Sequence, residues 1–277
     1  MSLVHRVLWA IEIDGSDPPG LEPIADRVGV SRFHMSRAFE IATGQSVMRY
    51  ARARRLSEAA RQLAAGAPNV LSVALDAGYG SHEAFSRAFR RQFGLTPEAV
   101  REQRHVDNLD LMEPIKMDED LIIELAPPRF EDGGEILIAG LSGRYRFETN
   151  QGIPQQWRKF GPYVGNLPGQ IGAKTYGVCW NGDDAGNFEY VTGVQVRDFE
   201  DLPDEFARVR VAPQRYAVFT HTGNISTMRR TAYTIWNKAL PEAGLTALDA
   251  PNFELYDERF DPHTGDGEVE VWVPVER

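Results

Sequence analysis

Apolar residues recur every three or four positions through the first 105 residues, whereas beyond residue 121 they tend to alternate with polar ones. The chain therefore changes from a helical to a mixed texture. In the first stretch the spacing predicts helices over 4–13, 21–28, 31–43, 47–64, 70–77 and 81–93. Breaks fall at Asp14-Gly15, Asp17-Pro18-Pro19-Gly20, Gly29 and Gly78-Tyr79-Gly80. Ser31 and Ser81 each open a helix with a hydroxyl able to accept from the free N–H groups of the first turn. Gly94, with Pro97 just beyond, ends the second of these helices. Phe85, Phe89 and Phe93 lie at i, i+4 and i+8, a buried stripe that leaves His82, Glu83, Ser86, Arg87 and Arg90 facing outward. Met35 and Phe39 play the same part in the earlier helix and leave Arg32, Phe33, Ser36, Arg37 and Glu40 outward.

The two helices are related. Ser36-Arg37-Ala38-Phe39 returns fifty positions later as Ser86-Arg87-Ala88-Phe89, and Ser31/Ser81, Gly44/Gly94 and Ser46/Thr96 match at the same offset. A short helix, a glycine turn and a capped helix outline a helix-turn-helix, so residues 1–106 are expected to form an all-α N-terminal domain with two helix-turn-helix units joined by the long helix 47–64. At 1.5 Å per residue that helix spans roughly 25 Å. It can hold two reading helices in successive major grooves of DNA, about 34 Å apart.

Residues 107–120, with Asp107, Asp110, Glu113, Asp118, Glu119 and Asp120 around Pro114, read as an acidic linker. In 121–277 the pattern predicts strands over 121–125, 135–146, 175–180 and 188–196 with a helix over 153–164. After Pro203 the order recurs, with strands over 208–221, 253–260 and 268–275 and a helix over 225–243. The expectation is an α+β C-terminal domain of two strand-helix-strand-strand repeats, one sheet with its helices on one side.

Composition sharpens the division. The net charge of −10 is unevenly spread: residues 1–107 carry 14 arginines, no lysine and 12 carboxylates, whereas 108–277 carry 16 basic against 28 acidic side chains. Arginine without lysine suits bidentate contact with phosphate and guanine, and a solvated surface is the plain alternative. No apolar run approaches the roughly 20 residues of a membrane span and no signal-peptide core opens the chain, so a cytoplasmic location without a membrane partner is expected. The single cysteine, Cys179, excludes an internal disulfide framework and a multi-thiolate zinc site. The six histidines lack metal-ligand spacing, His221 reads as structural and His34 as packed within the first reading unit. No nucleotide, zinc-protease or serine-hydrolase motif is present. Neither catalytic residues, a metal nor a cofactor is expected.

The run from Ala77-Gly78-Tyr79 through Phe93-Gly94-Leu95-Thr96-Pro97 to Arg101 resembles the signature of AraC/XylS-type transcription regulators. The resemblance covers about a hundred residues and both helical units; it departs at Val100, where an aromatic residue is usual. It implies that the outward faces contact double-stranded DNA: Arg37 and Arg87 at guanine edges, Phe33 on a thymine methyl, Ser36, His82 and Ser86 at base edges or phosphates, and Arg32, Arg90 and Arg91 at phosphates. Glu83 either accepts from a cytosine amino group or favours the helix N-terminus through its dipole. RNA polymerase is a candidate partner, and the oligomeric state stays open.

The second half is similar to GyrI-like effector-binding domains, on its pattern and on Phe253-Glu254-Leu255-Tyr256 and Val271-Trp272-Val273-Pro274-Val275. That resemblance implies a groove between the two repeats with a buried glutamate, here Glu254, that attracts a small cationic or amphipathic effector. Tyr256, Tyr163, Trp180, Tyr190, Tyr216, Phe219 and Trp272 are candidate liners, with plain core packing as the alternative for each. The resemblance also leaves open hydrolysis of strained electrophiles by a carboxylate and an aromatic hydroxyl. Binding of a protein partner by the acidic surface is a third reading.

Overall fold

The computed structural model describes residues 1–13, 20–116, 121–146, 150–183 and 186–276. The expected break at 14–19, the acidic residues 118–120 and Asp184 lie outside the described residues.

Among the described residues seven helices fall between 3 and 103: α1 (Leu3–Ile13), α2 (Leu21–Val28), α3 (Arg32–Thr43), α4 (Val47–Ala64), α5 (Val70–Asp76), α6 (His82–Phe93) and α7 (Pro97–Gln103). The caps follow the sequence. Ser31, Ser46, Asn69, Ser81 and Thr96 each accept from a backbone N–H three residues on. Gly29 turns the chain between α2 and α3 at φ 70°, where a side chain would be strained.

An eight-stranded antiparallel sheet follows, formed by β1 (Arg129–Gly133), β2 (Ile136–Arg146), β3 (Gln170–Trp180), β4 (Asn187–Val196), β5 (Ala207–Val211), β6 (Gln214–Asn224), β7 (Asn252–Tyr256) and β8 (Asp266–Pro274). Their order is β1-β6-β8-β7-β3-β4-β2-β5. Two-residue links join β1 to β2 and β5 to β6, although each link connects strands near opposite ends of this order. The sheet must therefore curl until its ends meet. Ile138, Val209 and Val211 from one end accordingly share an inner core with Tyr216 and Val218 from the other. The opposite face carries α8 (Ile153–Phe160) over Ala139, Val194 and Val196, and α9 (Met228–Thr234) over Ala217, Phe219 and Val271.

Four expected elements are corrected. Residues 121–125 form no strand: Leu121, Ile122 and Leu125 pack into the core beneath α9, and Ile123 N–H donates to Thr234 Oγ1 at 3.0 Å instead of to a neighbouring strand. The edge there belongs to β1, whose mostly exposed side chains carry no alternating signal. The strand expected over 208–221 divides at Pro213, which cannot donate a ladder hydrogen bond, into β5 and β6. The strand expected over 253–260 stops at Tyr256. The helix expected over 225–243 is a 3-10 turn, α9, a π segment (Ile235–Ala239) and a last turn, α10 (Leu240–Glu242).

That π segment joins the two halves. One apolar cluster runs from α1, α2, α3 and the start of α4 into Phe219, Tyr233, Ile235, Trp236 and Val271, whereas the end of α4 with α5 and α6 has a separate core around Phe85 and Phe89. Phe33 and His34 meet the Trp236 ring edge to face, at centroid distances of 6.0 and 5.5 Å. A π turn shifts the helical hydrogen-bond ladder, and the Trp236 carbonyl accepts from His34 Nε2 at 3.0 Å. His34 thus packs across to the second half rather than within its own unit. Asn237 accepts from Val4 N–H and donates to the Ala38 carbonyl, both at 3.1 Å. Residues 107–116 run along α4, where Ser57 Oγ accepts from Met112 N–H, Arg54 donates to the Met112 carbonyl and Arg61 pairs with Glu113. Among the described residues no helix is long and apolar enough to cross a membrane.

Burial holds the His34 imidazole below its ordinary value of 6.5. Its neutral form is the packed one, so its contribution is fully present above the ordinary value and is lost as pH falls through the lower folded value. Asn237→Ala removes the partner of the Val4 N–H at the start of α1 and of the Ala38 carbonyl in the middle of α3, and is expected to cost about 1–3 kcal/mol. Hydrogen exchange checks this: amides of α1 and α3 should exchange faster while those of α5 and α6 are unchanged.

Candidate functional site

Period-two alternation puts Thr175, Gly177 and Cys179 of β3 on the helix-bearing face, beside Asn252, Glu254 and Tyr256 of β7. Tyr190 of β4 stands beside Cys179. Gly177 is required by close approach, since a Cβ there would collide with the Tyr190 hydroxyl and lie 2.7 Å from Glu254 Oε2. Into that space Tyr190 Oη donates to Glu254 Oε2 at 2.7 Å and Tyr256 Oη donates to the same oxygen at 2.8 Å. Trp157 of α8 donates its Nε1–H to Tyr190 Oη at 3.0 Å and packs edge-on against Tyr256 at 4.9 Å. Gln156, one residue earlier, donates to the Leu141 and Tyr190 carbonyls and accepts from Tyr145 Oη. These bonds fix α8 to the sheet.

Burial raises the Glu254 carboxyl above the ordinary carboxylate value, with the two phenol hydrogen bonds and the nearby Arg37 guanidinium opposing it. Burial and the adjacent carboxylate push both phenols well above their ordinary value, so Tyr190 and Tyr256 stay protonated and donate. Both donors converge on Oε2, and Oε1 keeps its accepting capacity. The arrangement offers negative charge, low polarity and aromatic walls, which is the chemistry of a site for an organic cation. Among the described residues no cluster of His, Cys, Asp or Glu could hold a metal ion.

Beside this cluster opens a cleft of about 300 Å³ whose second wall is α3. Arg32, Phe33, Ser36, Arg37 and Glu40 face Cys179, Trp180, Phe188, Asn252 and the 181–183 and 249–251 turns across it. The Arg37 guanidinium lies 5.4 Å from the centroid of Phe188 and 5.8 Å from that of Trp236. It makes a long hydrogen bond of 3.5 Å to Asn252 Oδ1 and stands near the Cys179 thiol and Glu254.

The residues singled out from sequence divide accordingly. Glu254, Tyr256 and Tyr190 come together, and Trp180 lines the cleft. Tyr216 and Trp272 lie on the opposite face, against Phe253 at 5.4 and 5.3 Å, because strand alternation turns Phe253 away from Glu254. Phe219 is sealed in the core under α9. Tyr163, beyond α8, packs on Phe206 at 5.0 Å and is outside the cluster. His221 is a structural residue, bonded to Thr231 Oγ1 and the Asn224 carbonyl. Trp157, Gln156, Asn252 and Gly177 were not singled out from sequence, because only the pairing of β3 with β7 and the seat of α8 bring them in. Phe188 could have been, since it shares the alternation face of Tyr190.

On α6 the outward face is open. Glu83, Arg87, Arg90 and Arg91 are exposed, Ser86 is half-buried, and His82 Nε2 meets Glu98 Oε1 at 2.9 Å. The α6 N-terminal amides and the Ser81 hydroxyl hold the Glu83 carboxyl below its usual range, the behaviour of an acid seated at a helix N-terminus. On α3, by contrast, Arg32, Phe33, Ser36 and Arg37 face the cleft.

Comparison with known proteins matches both halves. Residues 126–276 match the GyrI-like small molecule binding domain, and residues 24–103 match a helix-turn-helix domain. The chain is 26% identical over 292 residues to the right origin-binding protein of Escherichia coli (strain K12), covering 99% of this chain and 98% of that one. It is 25% identical over 287 residues to the transcriptional regulator Rob of Salmonella typhimurium, with the same coverage. It is also 32% identical over 98 residues to the multiple antibiotic resistance protein MarA of Salmonella typhimurium, covering 35% of this chain and 77% of that one. A buried carboxylate held by two phenols on one half and a capped helix with an open arginine face on the other are the features this match explains: the chain belongs to the family of GyrI-like small-molecule-binding proteins and carries that domain behind an AraC-type helix-turn-helix domain.

Proposed function

We propose that this DNA-binding transcription regulator senses a small cationic or amphipathic molecule, with Glu254 as its counter-charge. One observation carries the reading: Tyr190 and Tyr256 both donate to a carboxylate shielded from water, beside a cleft lined by Trp180, Phe188 and Phe33. A carboxylate so placed destabilises the empty domain and gains a partner when a cation enters. Trp157, Trp180 and Phe188 supply the ring faces, each worth roughly 0.5–2 kcal/mol toward a cation. The strand order is unchanged on reversal when β1–β4 exchange with β5–β8, which supports a duplication whose unit is strand-strand-helix-strand-strand, one strand more than expected, and the matching caps of α3 and α6 support two helix-turn-helix units.

In the DNA complex Arg37 and Arg87 read guanine, Phe33, Ser36, His82 and Ser86 complete the base-facing set, and Arg32, Arg90 and Arg91 hold phosphates. Glu83 acts through the N-terminus of α6. The names of two relatives, a right origin-binding protein and a transcriptional regulator, support DNA binding by the first half. The same carboxylate and hydroxyls would also serve hydrolysis of a strained electrophile, and product formation on incubation would replace the sensor by an enzyme.

Arg87→Ala should remove about 1–3 kcal/mol of discrimination between the preferred site and random DNA, whereas Arg91→Ala should weaken both equally and lower the salt slope by about 1. Competition binding at several salt concentrations measures both. Glu254→Gln should weaken an organic cation such as rhodamine 6G on the order of tenfold. A raised carboxyl in the folded state stabilises only at low pH and loses that contribution as pH rises through its folded value, so Glu254→Gln should also raise the melting temperature at pH 8. In the unsubstituted protein dye affinity should fall as pH is lowered through the raised Glu254 value, because protonation removes the counter-charge, and the variant should show no such dependence.

A further inference from the structure

Arg37 and Arg87 hold equivalent positions in their helices, yet their surroundings are opposite. Arg87 is exposed on α6, whereas Arg37 is enclosed between α3 and the sheet, with Phe188, Trp236 and Asn252 around it and Glu254 behind. To enter a major groove about 12 Å wide, α3 must present that face with nothing before it. Here the 181–183 and 249–252 segments stand in front. One side chain cannot occupy both places.

The partners of Arg37 are those an organic cation would use: two ring faces, an amide oxygen and a carboxylate. We propose that Arg37 is an internal occupant of the effector cleft, and that a cationic effector displaces it and frees α3 to read DNA. The inference rests on the reading of α3 as a DNA-contacting helix and of the Glu254 cluster as a cation site. It adds a coupling between them: effector and DNA both favour the open form, so each raises the affinity of the other by the same factor. While the cleft is closed, apparent DNA affinity is reduced by the fraction of molecules that are open.

Opening parts α3 from the apolar cluster it shares with Tyr233, Ile235 and Trp236, and exchanges for water the polar bridges from Ser31 Oγ to the Ala247 carbonyl, from His34 to the Trp236 carbonyl and from Asn237 to the Ala38 carbonyl. The apolar part of the contact sets the cost of opening, which effector and DNA binding together offset. Among the described residues the core of α5 and α6 contains none from 121–276, so α6 stays open throughout and the full two-helix grip waits on α3.

Full-length protein is tested by fluorescence anisotropy with a duplex that it selects from a random-sequence library, with and without rhodamine 6G. The dye should tighten DNA binding about tenfold. Phe188→Leu with Asn252→Ala, which leave every proposed DNA contact in place, should bind the duplex about as tightly without dye as the unsubstituted protein does with it. An unsubstituted readout is the sole cysteine, Cys179, under Arg37: the duplex alone should speed its modification by a thiol reagent roughly tenfold as α3 withdraws. A bound dye that leaves DNA affinity unchanged or lowers it, a folded double variant with unchanged affinity, or a thiol rate indifferent to DNA would each overturn the latch. Failure of the underlying assignment looks different: Arg37→Ala would keep its sequence preference, or the dye would not bind.

Discussion

The packing of α3 against the π segment at Trp236 is the contact on which the rest of the molecule depends. It merges the first three helices and the sheet's helix-bearing face into one apolar cluster. Without it, a fold of this length would separate into a helical unit and a curled sheet with a short tether. With it, the first reading helix becomes a wall of the effector cleft, and the chemistry of the cleft includes a side chain from the other half.

The electrostatics of that cleft follow from burial. A carboxylate removed from water is costly unless it is bonded and paired. Glu254 has two phenols bonded and one guanidinium nearby. The phenols are permanent, being fixed by Trp157 and by the sheet itself. The guanidinium belongs to a helix that has another use. Structure and regulation therefore meet at one charge, which is why the arginine face of α3 and the glutamate of β7 have to be considered together.

The asymmetry between α3 and α6 has the same origin. Both helices have serine caps and left-handed glycine ends, and both bury one stripe. Their outward faces share Ser-Arg at matched positions, Ser36-Arg37 and Ser86-Arg87, but the tertiary structure sets different neighbours before them. The separate core around Phe85 and Phe89 leaves α6 facing solvent, whereas the shared core turns α3 inward.

Much of this protein was legible in its sequence. Period and caps located every helix of the first half except α7, the repeated Ser-Arg-Ala-Phe paired α3 with α6, and strand alternation grouped Tyr190 with Phe188 and Thr192, and Glu254 with Tyr256. Local signals suffice there because helix and strand periods depend on near neighbours. Sequence could not show that Pro213 sends β5 and β6 to opposite ends of the sheet, that Gly177 is the hollow beneath Glu254, or that Tyr216 and Trp272 turn away from it. Nor could it show that Arg37 points into a cleft rather than to solvent. Those facts depend on contacts between residues tens to more than two hundred positions apart, and an outward face is defined only once the rest of the chain has taken its place.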